Sequence, residues 1–257
     1  SMNKVFTILF FLALALTASD KPNVILIMTD DQGYGDFGNK GNHLIKTPHI
    51  DKMATESFEF TRFYVNAVCS PTRASVMTGR QSYRTGVTDT WIGRSTMFAE
   101  EVTIAEILKH AGYGTGLFGK WHPGDNYPYR PMDQGFDKAI YHKGGGLGQP
   151  ADPVENERRY TDAILFDNGE AIQTKGFCCD VYFDEAMKWM TTQKNADKPF
   201  FAFIASNTPH SPFHDVPQKW YDYYRQKDLG KANFKQDKGH KILGKDDNDR
   251  TAAIYAM

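Results

Sequence analysis

Val24-Ile25-Leu26-Ile27-Met28-Thr29-Asp30-Asp31-Gln32-Gly33 decides the fold class, because an unbroken apolar run stops abruptly at a knot of polar residues. An apolar run without alternation is the pattern of a strand covered on both faces, as in a parallel sheet. Three further runs have the same form. Phe58 to Val65 leads into Asn66-Ala67-Val68-Cys69, Tyr113 to Phe118 into Gly119-Lys120-Trp121-His122, and Pro199 to Ala205 into Asn207-Thr208-Pro209-His210. Helix patterns lie between them. Thr47 caps and Pro48 opens a segment running to about Ser57, Val102 to Ala111 ends at Gly112, and Phe177 to Lys194 begins with Cys178 and Cys179. Strands alternating with helices predict an α/β fold with a mostly parallel sheet sandwiched by helices. Ligands of such sheets bind outside the carboxyl ends of the strands, so the four knots are expected to converge. Pro128 to Pro153, with Gly144-Gly145-Gly146 and few periodic apolar residues, reads as a long surface loop facing the substrate.

The composition agrees with a globular protein of one or two domains: 257 residues, 40% apolar and 24% charged. Lys and Arg number 30 against 31 Asp and Glu, which excludes a protein built to coat nucleic acid. Residues 2 to 19 read as a secretory signal: Met2-Asn3-Lys4, an apolar run from Val5 to Ala18, and small Thr17 and Ser19 at the cleavage positions. That run is shorter than the roughly 20 residues a spanning helix needs. The expectation is export to the periplasm or beyond, with no stable membrane insertion after cleavage. Ser1, ahead of Met2, reads as a residue left by cloning. Residues 20 to 257 then form the folded part. Three cysteines, two of them adjacent, give no disulfide framework.

The knots carry the chemistry. Asp30 and Asp31 at a strand end are either a hard-oxygen site for calcium or magnesium, or a cap and turn pair. In Cys69-Ser70-Pro71-Thr72-Arg73-Ala74-Ser75-Val76-Met77-Thr78-Gly79, Ser70 reads as an N-cap, Pro71 as the first helical residue and Gly79 as the stop. Cys69 thus lies at a helix N-terminus with Arg73 one turn along, the setting of an activated nucleophile for an anionic substrate. A phosphatase-type loop needs arginine six positions after the cysteine, where Ser75 stands. Gly114-Thr115-Gly116-Leu117-Phe118-Gly119 matches a dinucleotide-binding pattern in the wrong context, since its glycines lie within a strand. Taken singly, Lys120 and His122 read as a solvated strand end and His210 as a turn residue. His49, His142 and His214 carry no assigned role.

Together these segments resemble the type I, formylglycine-dependent sulfatases, arylsulfatase-like members of the alkaline-phosphatase-like superfamily. The resemblance rests on Cys69-Ser70-Pro71-Thr72-Arg73 with Met77-Thr78-Gly79, on Pro22 to Asp36, on Thr47-Pro48-His49-Ile50-Asp51, on Gly112 through His122, and on Pro209-His210-Ser211-Pro212, in the family's order. It implies a sulfuric ester hydrolase in which a maturation enzyme, of the formylglycine-generating or radical type, converts Cys69 to formylglycine. Asp30, Asp31 and Cys69 would ligate a divalent metal, usually calcium in this family. Arg73 would hold the formylglycine, Lys120 and His122 would bind sulfate and the hydrate oxygens, and His210 would contact the ester near the leaving oxygen. One hydroxyl of the hydrate attacks sulfur and the other, once deprotonated, expels sulfate.

The chain departs from the family pattern in two respects. Pro123 follows His122 where leucine is more usual, and the sequence stops at Met257, before the family's second metal pair and small C-terminal domain. Asp247-Asn248 precedes the final helix pattern inside a charged run, and reads as a loop and cap rather than that pair. The resemblance is thus to the N-terminal portion of a sulfatase, and the 257 residues alone are expected to be inactive or nearly so. Aromatic residues around Trp91, Trp121, Tyr127, Tyr129, Trp220 and Tyr221 suit a sulfated carbohydrate, and the His142 to Gln149 loop is similar to one in bacterial members acting on polysaccharides. The alternatives are a non-catalytic remnant binding anionic glycans and a phosphate or phosphonate monoester hydrolase of the same superfamily.

Overall fold

The apolar run that opens the sequence analysis forms strand β1, Val24–Met28, at one edge of a six-stranded sheet. The computed structural model describes residues 21–91, 93–229 and 248–257, so the expected leader and Asp247 lie outside the described residues. In chain order the remaining elements are α1 (Pro48–Thr55), α2 (Cys69–Thr78), α3 (Ile104–His110), β2 (Gly114–Lys120), β3 (Lys138–His142), β4 (Ile164–Asp167), β5 (Glu170–Gln173), α4 (Cys178–Asn195), β6 (Phe200–Ala205), α5 (Gln218–Arg225) and α6 (Asn248–Ala256). The sheet order is β1-β6-β2-β3-β4-β5. The first four strands run parallel, with Ile25 opposite Ala202, Leu117 opposite Phe203 and Lys120 opposite His142. The last two strands add an antiparallel edge. This is the predicted mostly parallel α/β architecture.

Helices cover both faces. On one, Ala74 and Met77 of α2 and Ala105 of α3 pack with Leu117, Phe201, Phe203 and Tyr141. On the other, Cys178, Tyr182 and Ala186 of α4 pack with Phe118, Ile140 and Ile204. β2 and β6 are therefore buried along their whole length, whereas edge strand β1 keeps Ile25 and Ile27 exposed. The glycines of β2 serve this packing rather than a nucleotide. Gly119 has φ +121°, and a side chain there would run into the Ala205 backbone.

Four local expectations need correction. Phe58 to Val65 is not a strand: Phe58, Phe60, Phe63, Tyr64 and Val65 are exposed and pair with no described strand. β-branched and aromatic residues favour a pleated surface only where a neighbouring strand supplies one. Ser70 is not the N-cap of α2. Val68 holds the extended cap position, and the Ser70 hydroxyl donates to the Ser95 carbonyl at 3.0 Å. Thr47 precedes Pro48 as expected, but its hydroxyl bonds Asp51 (2.9 Å) instead of capping a backbone N–H, and α1 stops at Thr55. Pro128 to Pro153 is not a surface loop throughout, because it contains β3, buried from Ala139 to His142. The expected stops hold: Gly79 and Gly112 both take positive φ, at +67° and +89°.

Candidate functional site

The carboxyl ends of β1, β2, β3 and β6 lie on one side of the sheet, and α2 brings its first turn to the same place. Asp30 follows β1 and is 3% exposed. Its Oδ1 accepts from an Arg73 guanidinium nitrogen at 3.2 Å and its Oδ2 from Lys120 Nζ at 2.6 Å. Arg73 also donates to the Lys120 carbonyl at 2.6 Å, and its Nε has no hydrogen-bond partner among the described residues. Burial alone would push the Asp30 carboxyl up, but the two cations outweigh it and hold the group well below the usual carboxylate range. Two buried cations on one carboxylate leave the floor of the site electropositive.

Cys69 is the first residue of α2, partly exposed and not in a disulfide. Its Sγ lies 3.3 Å from His122 Nδ1, while His122 Nε2 lies 3.4 Å from the Thr90 carbonyl. A carbonyl only accepts, so Nε2 carries the ring hydrogen and the Nδ1 lone pair faces the thiol. Burial, with Lys120 and Arg73 nearby, pushes the His122 pKa down to about 2, which keeps the ring neutral. His122 reaches this position from a left-handed backbone, φ +75°, and the following Pro123 carbonyl accepts from the Met97 N–H at 2.9 Å.

Asp31 and His210 form the outer part of the site. The Asp30 N–H donates to the Thr208 carbonyl at 3.0 Å, which joins the β1 and β6 ends. His210 Nε2 then lies 3.8 Å from Asp31 Oδ2, the Asp31 side chain being 55% exposed. All seven residues singled out from the sequence thus fall into one region: Asp30, Arg73 and Lys120 in contact with one another, Cys69 in contact with His122, and Asp31 with His210 at the rim. Adjacent carboxylates are the donor chemistry of a hard cation such as calcium. Among the described residues, no group of three or more His, Cys, Asp or Glu side chains is placed to hold a metal, and both Asp30 oxygens are engaged by Arg73 and Lys120.

His49 and His214 are exposed and take no part. His142 does lie beside the site, wholly buried at the end of β3 and in register with Lys120. Its Nδ1 bonds the Lys143 carbonyl at 3.0 Å, its Nε2 is unpartnered among the described residues, and burial pushes its pKa down to about 3. The glycine-rich turn after it packs on the His122 ring: a Cβ on Gly145 would stand 3.3 Å from His122 Nε2. Two acids lace this turn to the core. Asp125 accepts from Gly144 N (2.7 Å), and Asp152 from Lys143 N (3.1 Å) and Gly148 N (2.8 Å). Burial pushes Asp152 up to about 6. Of the aromatics, Trp121 belongs to the core, edge-on to Phe136, whereas Trp91 and Tyr127 are exposed.

The family model described as Sulfatase matches residues 22–251. The chain is similar to N-acetylgalactosamine-6-sulfatase of Canis lupus familiaris, 33% identical over 223 residues, which span 78% of this chain and 42% of the relative. Among solved structures, Ps i-CgsB in complex with k-i-k-neocarrahexaose superposes with a TM-score of 0.73 at 27% identity, over 92% of this chain and 52% of that one. A protein solved in complex with its substrate D-glucosamine-2-N,6-O-disulfate superposes with a TM-score of 0.68 at 28% identity, over 83% and 40%. The chain thus spans less than half the length of the curated relative.

Proposed function

This chain belongs to the sulfatase family, and we propose that the whole protein is exported and hydrolyses a sulfate ester on a sulfated carbohydrate. The observation that carries this reading is the buried Asp30–Arg73–Lys120 cluster set against the Cys69–His122 pair. Arg73 and Lys120 supply positive charge where a sulfate group would sit, and a low-dielectric floor strengthens that attraction. Asp30 and Asp31 would hold a divalent cation, calcium in the proposal, which would supply further charge neutralisation at the sulfate. Cys69, matured to formylglycine, would be the nucleophile and complete the metal ligands. His122 keeps a neutral ring nitrogen on residue 69, fit to accept a hydrogen bond there. His210 stands at the rim, where the leaving oxygen of the ester would emerge.

The sulfated-carbohydrate part is supported by relatives and structural neighbours that act on or hold sulfated sugars by name, and by exposed Trp91 and Tyr127 around the site. The expected leader supports export. Because the described residues would contribute only two carboxylates to the metal, the 257 residues alone are expected to turn over little. The test is the mass of the Cys69 peptide from protein made in its native host, with turnover of an aryl sulfate by the full-length protein. The expected result is loss of the thiol-to-aldehyde difference, and turnover abolished by Cys69→Ala. An unmodified cysteine without turnover would overturn the reading.

A further inference from the structure

The loop that carries His210 is held from one side by a pair of residues outside the sequence motifs. The Tyr160 hydroxyl donates to the His210 carbonyl at 2.7 Å and to the Ser211 carbonyl at 3.1 Å. The Ser211 carbonyl also lies 2.6 Å from His210 Nδ1 and, because a carbonyl only accepts, Nδ1 must carry a hydrogen. Nε2 is then the nitrogen turned toward Asp31 and the rim. A second tie runs in the opposite direction. Asp215, four residues beyond Ser211, accepts from the Tyr160 and Thr161 N–H groups, both at 2.7 Å, and from the Thr161 hydroxyl at 2.8 Å.

Tyr160 itself is anchored. It is 1% exposed, its ring packs on Phe177 with centroids 6.0 Å apart, and its carbonyl accepts from Cys178 N in the first turn of α4 at 2.7 Å. The partly exposed histidine loop is thus fastened to the buried end of a long core helix. The ties grip the backbone that follows the ring and the carbonyl that Nδ1 bonds.

We propose that Tyr160 and Asp215 are positioning residues that set the orientation and hydrogen-bonding state of His210, so that Nε2 meets the leaving oxygen of the substrate ester. The proposal rests on the sulfate-ester reading of the site. As the bond from sulfur to the leaving oxygen breaks, its electron pair stays on that oxygen and the sulfuryl group passes to the nucleophile at residue 69. With Nδ1–H given to the Ser211 carbonyl, Nε2 donates a hydrogen bond to the charge that develops there when the ring carries both hydrogens, the imidazolium form that Asp31 faces. Its value grows with the basicity of the leaving group, because a poor leaving group gathers more charge before it departs.

That dependence separates positioning from mere structural support. The experiment uses the full-length matured protein with phenyl sulfate and 4-nitrophenyl sulfate, which differ in leaving-group basicity, in the wild type, Tyr160→Phe, Asp215→Ala and Cys69→Ala. The expected result is a loss in Tyr160→Phe and in Asp215→Ala that is roughly tenfold larger on phenyl sulfate than on 4-nitrophenyl sulfate. Most of it should fall in kcat rather than KM. Asp215 lies on the partly exposed loop and Tyr160 in the core, so agreement between the two variants does not depend on either substitution being harmless to folding. Equal losses on the two substrates, or none, would overturn the positioning role while leaving the hydrolase intact. A wild type no more active than Cys69→Ala would instead overturn the sulfate-ester reading itself.

Discussion

Asp30→Asn should be among the most destabilising single-atom changes available in this protein, and Asp31→Asn next to it among the mildest. Asp30 is 3% exposed and uses one oxygen on Arg73 and the other on Lys120, whose side chains are 2% and 0% exposed. Removing its charge leaves two buried cations without a counter-charge, and breaking a buried pair in this way costs about 3–5 kcal/mol. Domains of this kind are stable by about 5–15 kcal/mol, so the loss is a large fraction of the total. Asp31 is 55% exposed, with a 3.8 Å approach to His210 as its ion-pair contact. Its neutralisation should stay within about 0.5 kcal/mol. The assay is urea unfolding in the presence of a chelator, so that metal binding contributes nothing. Adding Lys120→Met to Asp30→Asn removes one stranded charge and should recover at least about 1 kcal/mol. If Asp30→Asn and Asp31→Asn differed by less than about 1 kcal/mol, the electrostatic account of the buried cluster would be wrong.

Acid should destabilise the protein through His142. Burial holds its folded pKa near 3, while the unfolded chain protonates it near about 6.5, so between these values the unfolded state binds more protons and stability falls as pH falls. From about pH 7 to 5.5 this costs about 1 kcal/mol, and urea midpoints of His142→Gln should lose that part of the pH dependence. Gly119→Ala should lower stability by at least about 3 kcal/mol, read as a collapse of the melting temperature, because the φ of +121° is left-handed and the Cβ meets the Ala205 backbone. Thr103→Ala should cost about 1–2 kcal/mol by the same urea assay. Its hydroxyl accepts from Glu106 N at 3.2 Å, donates to the Gln134 carbonyl at 2.8 Å, and completes a capping box with Glu106.

Legibility of the sequence followed how local each signal was. β2 and β6 could be read because dense apolar runs bury on both faces, β1 because its run is equally unbroken although Ile25 and Ile27 stay exposed at the sheet edge, and their polar ends because strand ends in such sheets face the ligand. Lys138-Ala139-Ile140-Tyr141-His142 escaped notice because a short run flanked by charges becomes a strand through pairing with β2, a long-range fact. The β4–β5 hairpin did leave a local sign, the Asn168-Gly169 turn with φ of +48° and +95° between paired Asp167 and Glu170. Phe58 to Val65 carried the composition of a strand without a described partner. In the site, the motif residues were legible through their order. His142, Tyr160 and Asp215 were not, because each acts through a contact to a residue distant in sequence, and a histidine, tyrosine or aspartate in a loop has no local mark of that.

The same contrast separates the chemistry of the site from its choice of substrate. The buried floor is set by elements that cannot shift independently: Asp30 after edge strand β1, Lys120 on β2 and Arg73 within α2, locked by bonds of 2.6 to 3.2 Å. Two cations against one anion give that floor a fixed preference for negative charge, whatever carries it. Selection among carriers has to come from the rim, where the structure is of a different kind: exposed Trp91 and Tyr127, the glycine turn laced to Asp125 and Asp152, and the His210 loop tied down by Tyr160 and Asp215. Trp91 and Tyr127 are exposed and can change without disturbing the sheet, whereas Tyr160 is packed in the core and couples the His210 loop to it. A motif-bearing floor is therefore readable from a sequence in terms of its preference for an anion, whereas what selects the carrier of that anion is written in loops whose contacts only the folded chain reveals.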